Sequence, residues 1–137
     1  MSGSNKARQI SVRTRTRQQF VDITGEVAGA ISESGVSDGV AVVFTPHTTA
    51  GITINENADP DVVHDLELVL DKVCPDMRGF RHAEGNSDAH ARSTFVGCSE
   101  TILIQDGRPI LGTWQGIYFC EFDGPRTRKV WIKTIQG

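Results

Sequence analysis

The stretch Gly39-Val40-Ala41-Val42-Val43-Phe44-Thr45-Pro46-His47 decides the fold of this chain. Its continuous apolar run, Val40–Phe44, is rich in β-branched side chains and predicts a central strand that is buried on both faces. Pro46 has no N–H to donate to a neighbouring strand, so strand pairing is expected to end there. His47 is therefore predicted to lie in a polar turn at the rim of the sheet, where functional side chains are common. The alternative is that His47 only fixes this turn by hydrogen bonding.

The segments before this strand predict two further strands and a helix. Residues 8–23 alternate polar and apolar side chains, as expected of two early strands joined by a turn. A helix is predicted from about Thr24 to Ser34, and Gly35 is suited to end it. The helix face that is expected to be buried consists of Val27, Ala30, Ile31 and Ser34.

The segments after the central strand predict a second main helix and more strands. Ile52–Asn57 alternates like a strand, and Asp59-Pro60-Asp61 is a typical helix start, with the helix ending near Cys74 before Pro75. The expected apolar stripe of this helix consists of Val62, Leu66, Val69, Leu70 and Val73. The remaining predicted elements are a short helix over 91–96, strands over 101–105, 112–122 and 130–135, and a hairpin turn at Asp106-Gly107.

Together these elements predict a single α+β domain over residues 1–137, with a strand-rich mixed or antiparallel sheet and two main helices. Residues 1–7 are expected to be flexible. The 14 Lys and Arg against 17 Asp and Glu give a net charge of −3, which argues against a general nucleic-acid-binding surface. No window of about 18 apolar residues is present, so a membrane span is not expected.

Three cysteines, Cys74, Cys98 and Cys120, are odd in number and lack CxxC spacing. This pattern predicts reduced thiols in a cytoplasmic protein, rather than a disulfide framework or a cysteine–zinc site. Each cysteine lies beside apolar residues, so all three are expected to be buried and to act as small hydrophobic side chains.

Two of the four histidines enclose the segment His82-Ala83-Glu84-Gly85-Asn86-Ser87-Asp88-Ala89-His90. Gly85-Asn86 disfavours a continuous helix, so both imidazoles are free to converge, and we expect them to meet His47 at one site, with Glu56 and Glu84 nearby. Neutral imidazole is a common metal ligand and acid–base group near neutral pH. The alternative is a solvated, hydrogen-bonded loop. His64 is predicted to be a surface residue, and Asp65 either a solvated acid or the partner that orients a histidine.

Four motifs in this order resemble the YjbQ family, which is described as secondary thiamine-phosphate synthase. The motifs are His47-Thr48-Thr49-Ala50, Thr53-Ile54-Asn55-Glu56-Asn57 with Asp59-Pro60, the Glu84-Gly85 turn ahead of His90, and Leu111-Gly112-Thr113-Trp114-Gln115-Gly116-Ile117. The likeness extends from about Ile10 to Gln136. It implies a small α+β protein that assembles as a homotrimer and carries a polar pocket rich in histidine and carboxylate, sometimes with a metal.

The resemblance also implies roles for individual residues. The expected catalytic residues are His47, Glu56, Asp65, Glu84 and Gln115. The expected cofactor-binding residues are Asn57, Asp59 and Thr113. The expected metal ligands are His47, His82 and His90.

The implied reaction joins hydroxymethylpyrimidine diphosphate to a thiazole phosphate and releases pyrophosphate. Magnesium could be held by Glu56, Asp59 or Asp65, and zinc by the three histidines. Arg92, Arg126 or Arg128 could bind the phosphate groups of these small substrates. Two alternatives remain open: a metal-dependent hydrolase with Glu84 or Glu56 as the base, and a non-catalytic trimer that binds a metal or another ligand.

Overall fold

A computed structural model describes residues 6–137, so the flexibility predicted for residues 1–7 concerns a segment that lies mostly outside the described residues. The strands of the described chain are β1 (Arg8–Arg13), β2 (Gln19–Asp22), β3 (Gly39–Phe44), β4 (Ala50–Glu56), β5 (Ser99–Gln105), β6 (Arg108–Pro109), β7 (Gln115–Glu121) and β8 (Thr127–Gln136). Its helices are α1 (Thr24–Ser34), α2 (Pro60–Val73) and α3 (Ser87–Val96).

The strands form two antiparallel sheets. One sheet has the order β1-β8-β3-β5-β6, and the other has the order β2-β7-β4. The run that begins at Gly39 is central, because β3 pairs with β8 on one side and with β5 on the other. The α+β class and the single domain predicted from the sequence are confirmed, and the sheets are antiparallel rather than mixed.

The main core combines side chains from both sheets with one face of α1. Ala41 and Val43 of β3 and Ile52 of β4 are completely buried there, together with Phe119 of β7. The predicted face of α1 is confirmed, since its buried residues are Val27, Ala30, Ile31 and Ser34. Gly35 ends the helix in the left-handed conformation, with φ 74°.

The prediction that β3 is buried on both faces is wrong for this chain. Its inner side chains are buried, but Phe44 on the other face remains 38% exposed. On that same face, Val40 pairs with Leu103 of β5 and with Ile135 of β8, whose side chains are 58% and 47% exposed. A continuous apolar run indicates two apolar faces, but it does not tell which part of the chain covers each of them.

The helix start of α2 is as predicted, because the Asp59 side chain accepts a hydrogen bond from the Asp61 N–H at 2.9 Å. Its apolar stripe is not buried, which corrects the sequence prediction: Val69 and Val73 are 55% and 56% exposed. Of the predicted stripe, Leu70 packs on a second core cluster, formed by Ala89, Tyr118, Cys120 and Phe122. No helix within residues 6–137 is both long enough and apolar enough to cross a membrane.

Two boundary differences from the sequence prediction affect residues of the expected site. Helix α3 begins at Ser87 rather than near residue 91, so His90 lies in its first turn. The strand predicted over 112–122 begins only at Gln115, because residues 112–114 form a loop in which the Gln115 side chain accepts the Gly112 N–H at 2.8 Å.

Candidate functional site

The three histidines predicted to converge lie around one cavity of about 390 Å³, which we call the histidine cavity. The rings of His82 and His90 contact each other edge to face, with centroids 5.3 Å apart. Glu84 lies beside His82, with 3.6 Å between the carboxylate and Nε2. The lining residues are Pro46, His47, Thr48, Thr49, His82, Glu84, Asn86, His90, Asp123, Arg126 and Arg128.

His47 is held in place by the neighbouring strand β8. The backbone N–H of Lys129 donates to His47 Nε2 at 2.9 Å. Since Nε2 accepts this bond, the neutral ring must carry its proton on Nδ1. Burial lowers the pKa of His47, and the positive charge of Arg128 lowers it further. His47 is therefore a neutral imidazole at neutral pH, with Nδ1–H available as a donor.

Arg128, which lines the histidine cavity, forms a buried ion pair with Glu121, and the two side chains are 3% and 0% exposed. Arg128 Nε donates to Glu121 Oε1 at 2.8 Å, and its terminal nitrogen also donates to Thr49 Oγ1 at 2.8 Å. Thr14 and the Asp123 N–H complete the partners of the carboxylate at 2.8 and 3.0 Å. Burial alone would raise the pKa of Glu121, but these hydrogen bonds, led by Arg128, lower it below its ordinary value.

Asp123 organises one side of the histidine cavity. Its carboxylate accepts from Asn86 Nδ2 at 2.8 Å and from a terminal nitrogen of Arg126 at 3.2 Å. Arg126 Nε also donates to the Asp123 carbonyl at 3.0 Å, and the Arg126 side chain is 52% exposed. The arginine head is thus aligned while remaining open to a ligand. No role for Asp123, Asn86 or Glu121 was predicted from the sequence.

Helix α3, which carries His90, is fixed by charged contacts away from the cavity. Asp88 accepts from both terminal nitrogens of Arg17 at 3.1 Å. Arg92 is buried and donates to Asp71 at 2.9 Å and to the Cys74 carbonyl at 3.1 Å. These contacts give Arg92 a structural role, so it does not fit the phosphate-binding role proposed for it from the sequence.

The other predicted site residues lie at the opposite end of the three-stranded sheet. Ala50 of β4 pairs with Glu121 beside the histidine cavity, whereas Glu56 pairs with Gln115. The six-residue step along β4 corresponds to about 20 Å. The prediction that Glu56 lies near the three histidines is therefore not met within one chain.

The motif residues at this far end stabilise the sheet. Asn57 Nδ2 donates to Asp22 at 3.1 Å, and a Cβ added at Gly116 would lie 2.4 Å from the Asn57 amide nitrogen. Gln115 closes the loop that contains Thr113 through its bond to the Gly112 N–H. Asn57, Thr113 and Gln115 thus lie apart from the histidine cavity, in a network that holds the strand ends together.

The two acids of α2 also have local partners. Asp59 is the N-cap of the helix. Asp65 contacts His64 at 3.0 Å on the exposed helix surface, and this hydrogen bond raises the pKa of His64. His64 is therefore the surface residue that was predicted, and Asp65 orients this histidine rather than one of the three cavity histidines.

The donor set does not fit a three-histidine zinc site as the side chains stand. If His47 ligated through Nδ1, its proton would move to Nε2 and would face the N–H of Lys129. Among residues 6–137, no group of three or more His, Cys, Asp or Glu side chains is arranged to hold a metal ion. The acids proposed for magnesium, Glu56, Asp59 and Asp65, lie on β4 and α2 rather than in the histidine cavity.

A second cavity of about 550 Å³ adjoins the first, and we call it the Cys98 cavity. Its lining residues are Phe44, Thr45, Pro46, His47, Thr48, His90, Ser93, Thr94, Gly97 and Cys98. Cys98 is exposed, which corrects the prediction that all three cysteines are buried, while Cys74 and Cys120 are buried as expected. Burial raises the pKa of the Cys120 thiol.

Comparison with known proteins agrees with this architecture. A UPF0047 protein of Methanocaldococcus jannaschii is 59% identical over 124 residues, covering 90% of each chain. The YugU protein of Bacillus subtilis is 52% identical over 127 residues, covering 92% of this chain and 96% of its own. A crystal structure of a YjbQ/UPF0047 family protein from Clostridium acetobutylicum has a TM-score of 0.91 and 58% identity, covering 93% of this chain and 99% of its own.

A more distant crystal structure, a YbjQ-like protein from Sulfolobus solfataricus, also has a TM-score of 0.91 at 29% identity. It covers 96% of this chain and 97% of its own. The family model described as UPF0047 protein YjbQ-like matches residues 8–137. With nearly the whole chain matched in sequence and in fold, the protein belongs to the YjbQ (UPF0047) family.

Proposed function

We propose that the histidine cavity is the active site of a transferase of the thiamine-phosphate synthase type, which acts on small phosphorylated substrates. The observation that carries this proposal is that three imidazoles and the Arg126 guanidinium line one cavity. Imidazole N–H groups and guanidinium are the donors that suit phosphate oxygens. The reaction is the one that the family resemblance implies.

In the proposed reaction, the lone pair of the thiazole nitrogen forms a C–N bond to the methylene carbon of hydroxymethylpyrimidine diphosphate. The C–O bond of that methylene breaks, and its electron pair leaves with pyrophosphate. The ring nitrogen becomes cationic and no proton is lost. Arg126 would stabilise the charge that develops on the leaving group, because aligned donors in a cavity need little reorganisation.

His47 would add a donor to the same leaving group. Its Nε2 accepts from the Lys129 N–H, which leaves the proton on Nδ1, and its lowered pKa keeps the ring neutral. Arg128 would act indirectly, since Glu121 neutralises it and it fixes the Thr49 backbone below the cavity.

The test is pyrophosphate release by the full chain supplied with the two substrates. We expect turnover by the wild type and a loss of about 100-fold in kcat/KM for Arg126→Ala, the size seen when one donor to a developing charge is removed. Arg108→Ala is the matched control, because Arg108 is an exposed arginine that lines neither of the two cavities.

Other outcomes distinguish the alternatives. Phosphate binding without turnover would favour a ligand-binding protein over a transferase. Hydrolysis of the diphosphate without joining to thiazole would favour a hydrolase. A wild type that neither turns over nor binds phosphate would contradict the proposal.

We also propose that the chain assembles as a homotrimer, as the family resemblance implies. The uncovered part of the five-stranded sheet around Val40, Leu103 and Ile135 lies at the end of β3 away from Phe44 and Cys98, and it is an apolar surface of the kind that partners cover. Light scattering should give three times the chain mass of 14.9 kDa. Leu103→Glu should lower that mass, and a wild type at the single-chain mass would contradict the assembly.

A further inference from the structure

The two adjoining cavities differ in charge. The histidine cavity carries Glu84, Asp123, Arg126 and Arg128. None of the ten residues that line the Cys98 cavity is Asp, Glu, Lys or Arg. An uncharged wall of this kind suits the ring of a ligand rather than its phosphate.

The two cavities are continuous in their lining. Pro46, His47, Thr48 and His90 line both of them. His47 and His90 therefore lie at the boundary between a charged and an uncharged compartment. A ligand with a phosphate at one end and a ring at the other could occupy both compartments with this histidine pair at its middle.

The wall of the Cys98 cavity is suited to a planar ring. Its lining residues include Phe44, Pro46, Gly97 and Cys98, and of these Phe44 and Cys98 are exposed. Aromatic faces pack on rings, and a thiol is a small polarisable contact. Its volume of about 550 Å³ lies within the range usual for small-molecule sites.

We infer that the Cys98 cavity binds the uncharged heteroaromatic ring of the substrate whose phosphate group occupies the histidine cavity. This inference rests on the proposed function for the nature of the substrate. It assigns to Phe44, Thr94 and Cys98 a role in selecting the ring, which neither their positions in the sequence nor the family motifs indicate. Two rings fit this chemistry, a thiazole and an aminopyrimidine, and the experiment separates them.

Cys98 supplies its own reporter, because the other two cysteines are buried. Iodoacetamide alkylates the thiolate by forming an S–C bond with loss of iodide. We expect the alcohol of the thiazole substrate, the alcohol of the aminopyrimidine substrate, or both, to slow Cys98 alkylation in the wild type. Inorganic phosphate should slow it much less. If one alcohol protects Cys98, its ring is the one that the cavity binds, and if both protect it, the cavity accepts either ring.

Filling the cavity should then separate ring binding from phosphate binding. Cys98→Phe is expected to weaken binding of the protecting alcohol at least about tenfold, a difference of 1.4 kcal/mol. Inorganic phosphate should bind as it does to the wild type. Cys98→Ser keeps the size of the side chain and is the matched control, with little change for either probe.

The inference is overturned if neither alcohol protects Cys98. It is also overturned if Cys98→Phe weakens the binding of inorganic phosphate and the binding of the alcohol by the same factor. If Cys98→Phe does not fold, as judged by thermal unfolding, the protection experiment on the wild type decides alone. Protection of Cys98 without any turnover would leave the ring site standing while the proposed transferase fails. Turnover without protection of Cys98 would support the proposed transferase and contradict the ring site.

Discussion

Lys129 donates its backbone N–H to Nε2 of His47 across 2.9 Å, which ties the turn after β3 to the neighbouring strand β8. This one bond decides the tautomer of His47, while burial and the charge of Arg128 lower its pKa and keep the ring neutral. With Nε2 occupied, Nδ1–H is the hydrogen-bond donor that the neutral ring retains.

The lowered pKa of His47 predicts a loss of stability in weak acid. The unfolded histidine titrates near its ordinary pKa of about 6.5. Below that pH the unfolded state binds a proton that the folded state resists, so the free energy of unfolding falls as the pH falls. Urea unfolding measures the free energy of unfolding at pH 5 and at pH 7.5. The difference between these two values should be smaller in His47→Gln than in the wild type. His64→Gln removes an exposed histidine whose pKa is raised, so it should not shrink the difference. An unchanged His47→Gln profile would refute the assignment.

Breaking the buried pair below the cavity should be costly. Glu121→Gln leaves the Arg128 charge buried without its partner, for which we expect a loss of about 3–5 kcal/mol in the free energy of unfolding. Glu33→Gln removes the acid of an exposed pair with Arg8 and should change stability by less than about 1 kcal/mol. Urea denaturation measures both. Similar losses of unfolding free energy in the two variants would show that water reaches the Glu121–Arg128 pair despite its burial.

The same pair predicts a second acid-sensitive region. Because the pKa of Glu121 is lowered on folding, its stabilising contribution is present above the unfolded value of about 4.3 and is lost as the pH falls through the folded value. Wild-type stability measured from pH 5 down to pH 2.5 should therefore drop more steeply than that of Glu121→Gln. Parallel curves would contradict the lowered pKa.

Two glycines should respond to alanine with opposite signs. A Cβ at Gly124 would lie 2.4 Å from the Thr16 carbonyl oxygen, a backbone atom that cannot rotate away, so we expect Gly124→Ala to cost about 1–3 kcal/mol. Gly29 lies inside α1, and apart from the backbone of its own helix no atom lies within 4 Å of its added Cβ. Gly29→Ala should therefore stabilise the protein by about 0.5–1 kcal/mol. Thermal unfolding gives both signs, and a neutral Gly124→Ala would show that the turn can shift.

Zinc should not bind stoichiometrically through His47. In calorimetric titration at pH 7.5, wild type and His47→Gln are expected to give the same weak heats, because the Nε2 of His47 is already used by Lys129. Treatment with a chelator should likewise leave phosphate binding unchanged. One tight zinc per chain, lost in His47→Gln, would restore the three-histidine ligand set.

The elements set by short-range patterns were predictable from the sequence. The buried face of α1 follows from its period, and the start of α2 follows from Asp59 and Pro60. The exposure of the outer face of β3 was not predictable, because an apolar face is covered either by a distant part of the same chain or by another chain. The same holds for the exposed stripe of α2, where Val69 and Val73 look like core residues from their spacing alone.

The candidate site was predictable only in part. The convergence of His82 and His90 follows from the break at Gly85-Asn86, but their distance from Glu56 depends on the length of β4. Glu121 was missed, although an acid in the apolar strand Ile117–Glu121, seven residues before Arg128 and across a Gly-Pro turn, was a readable signal. Such residues are placed opposite each other by the choice of strand partners and by their register. Both depend on contacts between distant parts of the chain, which local sequence patterns do not reveal.

The buried pair of Glu121 and Arg128 also constrains how this family can diverge. Replacing either residue alone leaves the other charge buried without a partner. An evolutionary path that changes one of them therefore passes through a destabilised intermediate or changes both together. Homologous chains are therefore expected to inherit the two positions as a unit, and a lineage that has exchanged them for apolar residues should have reshaped the cavity above as well.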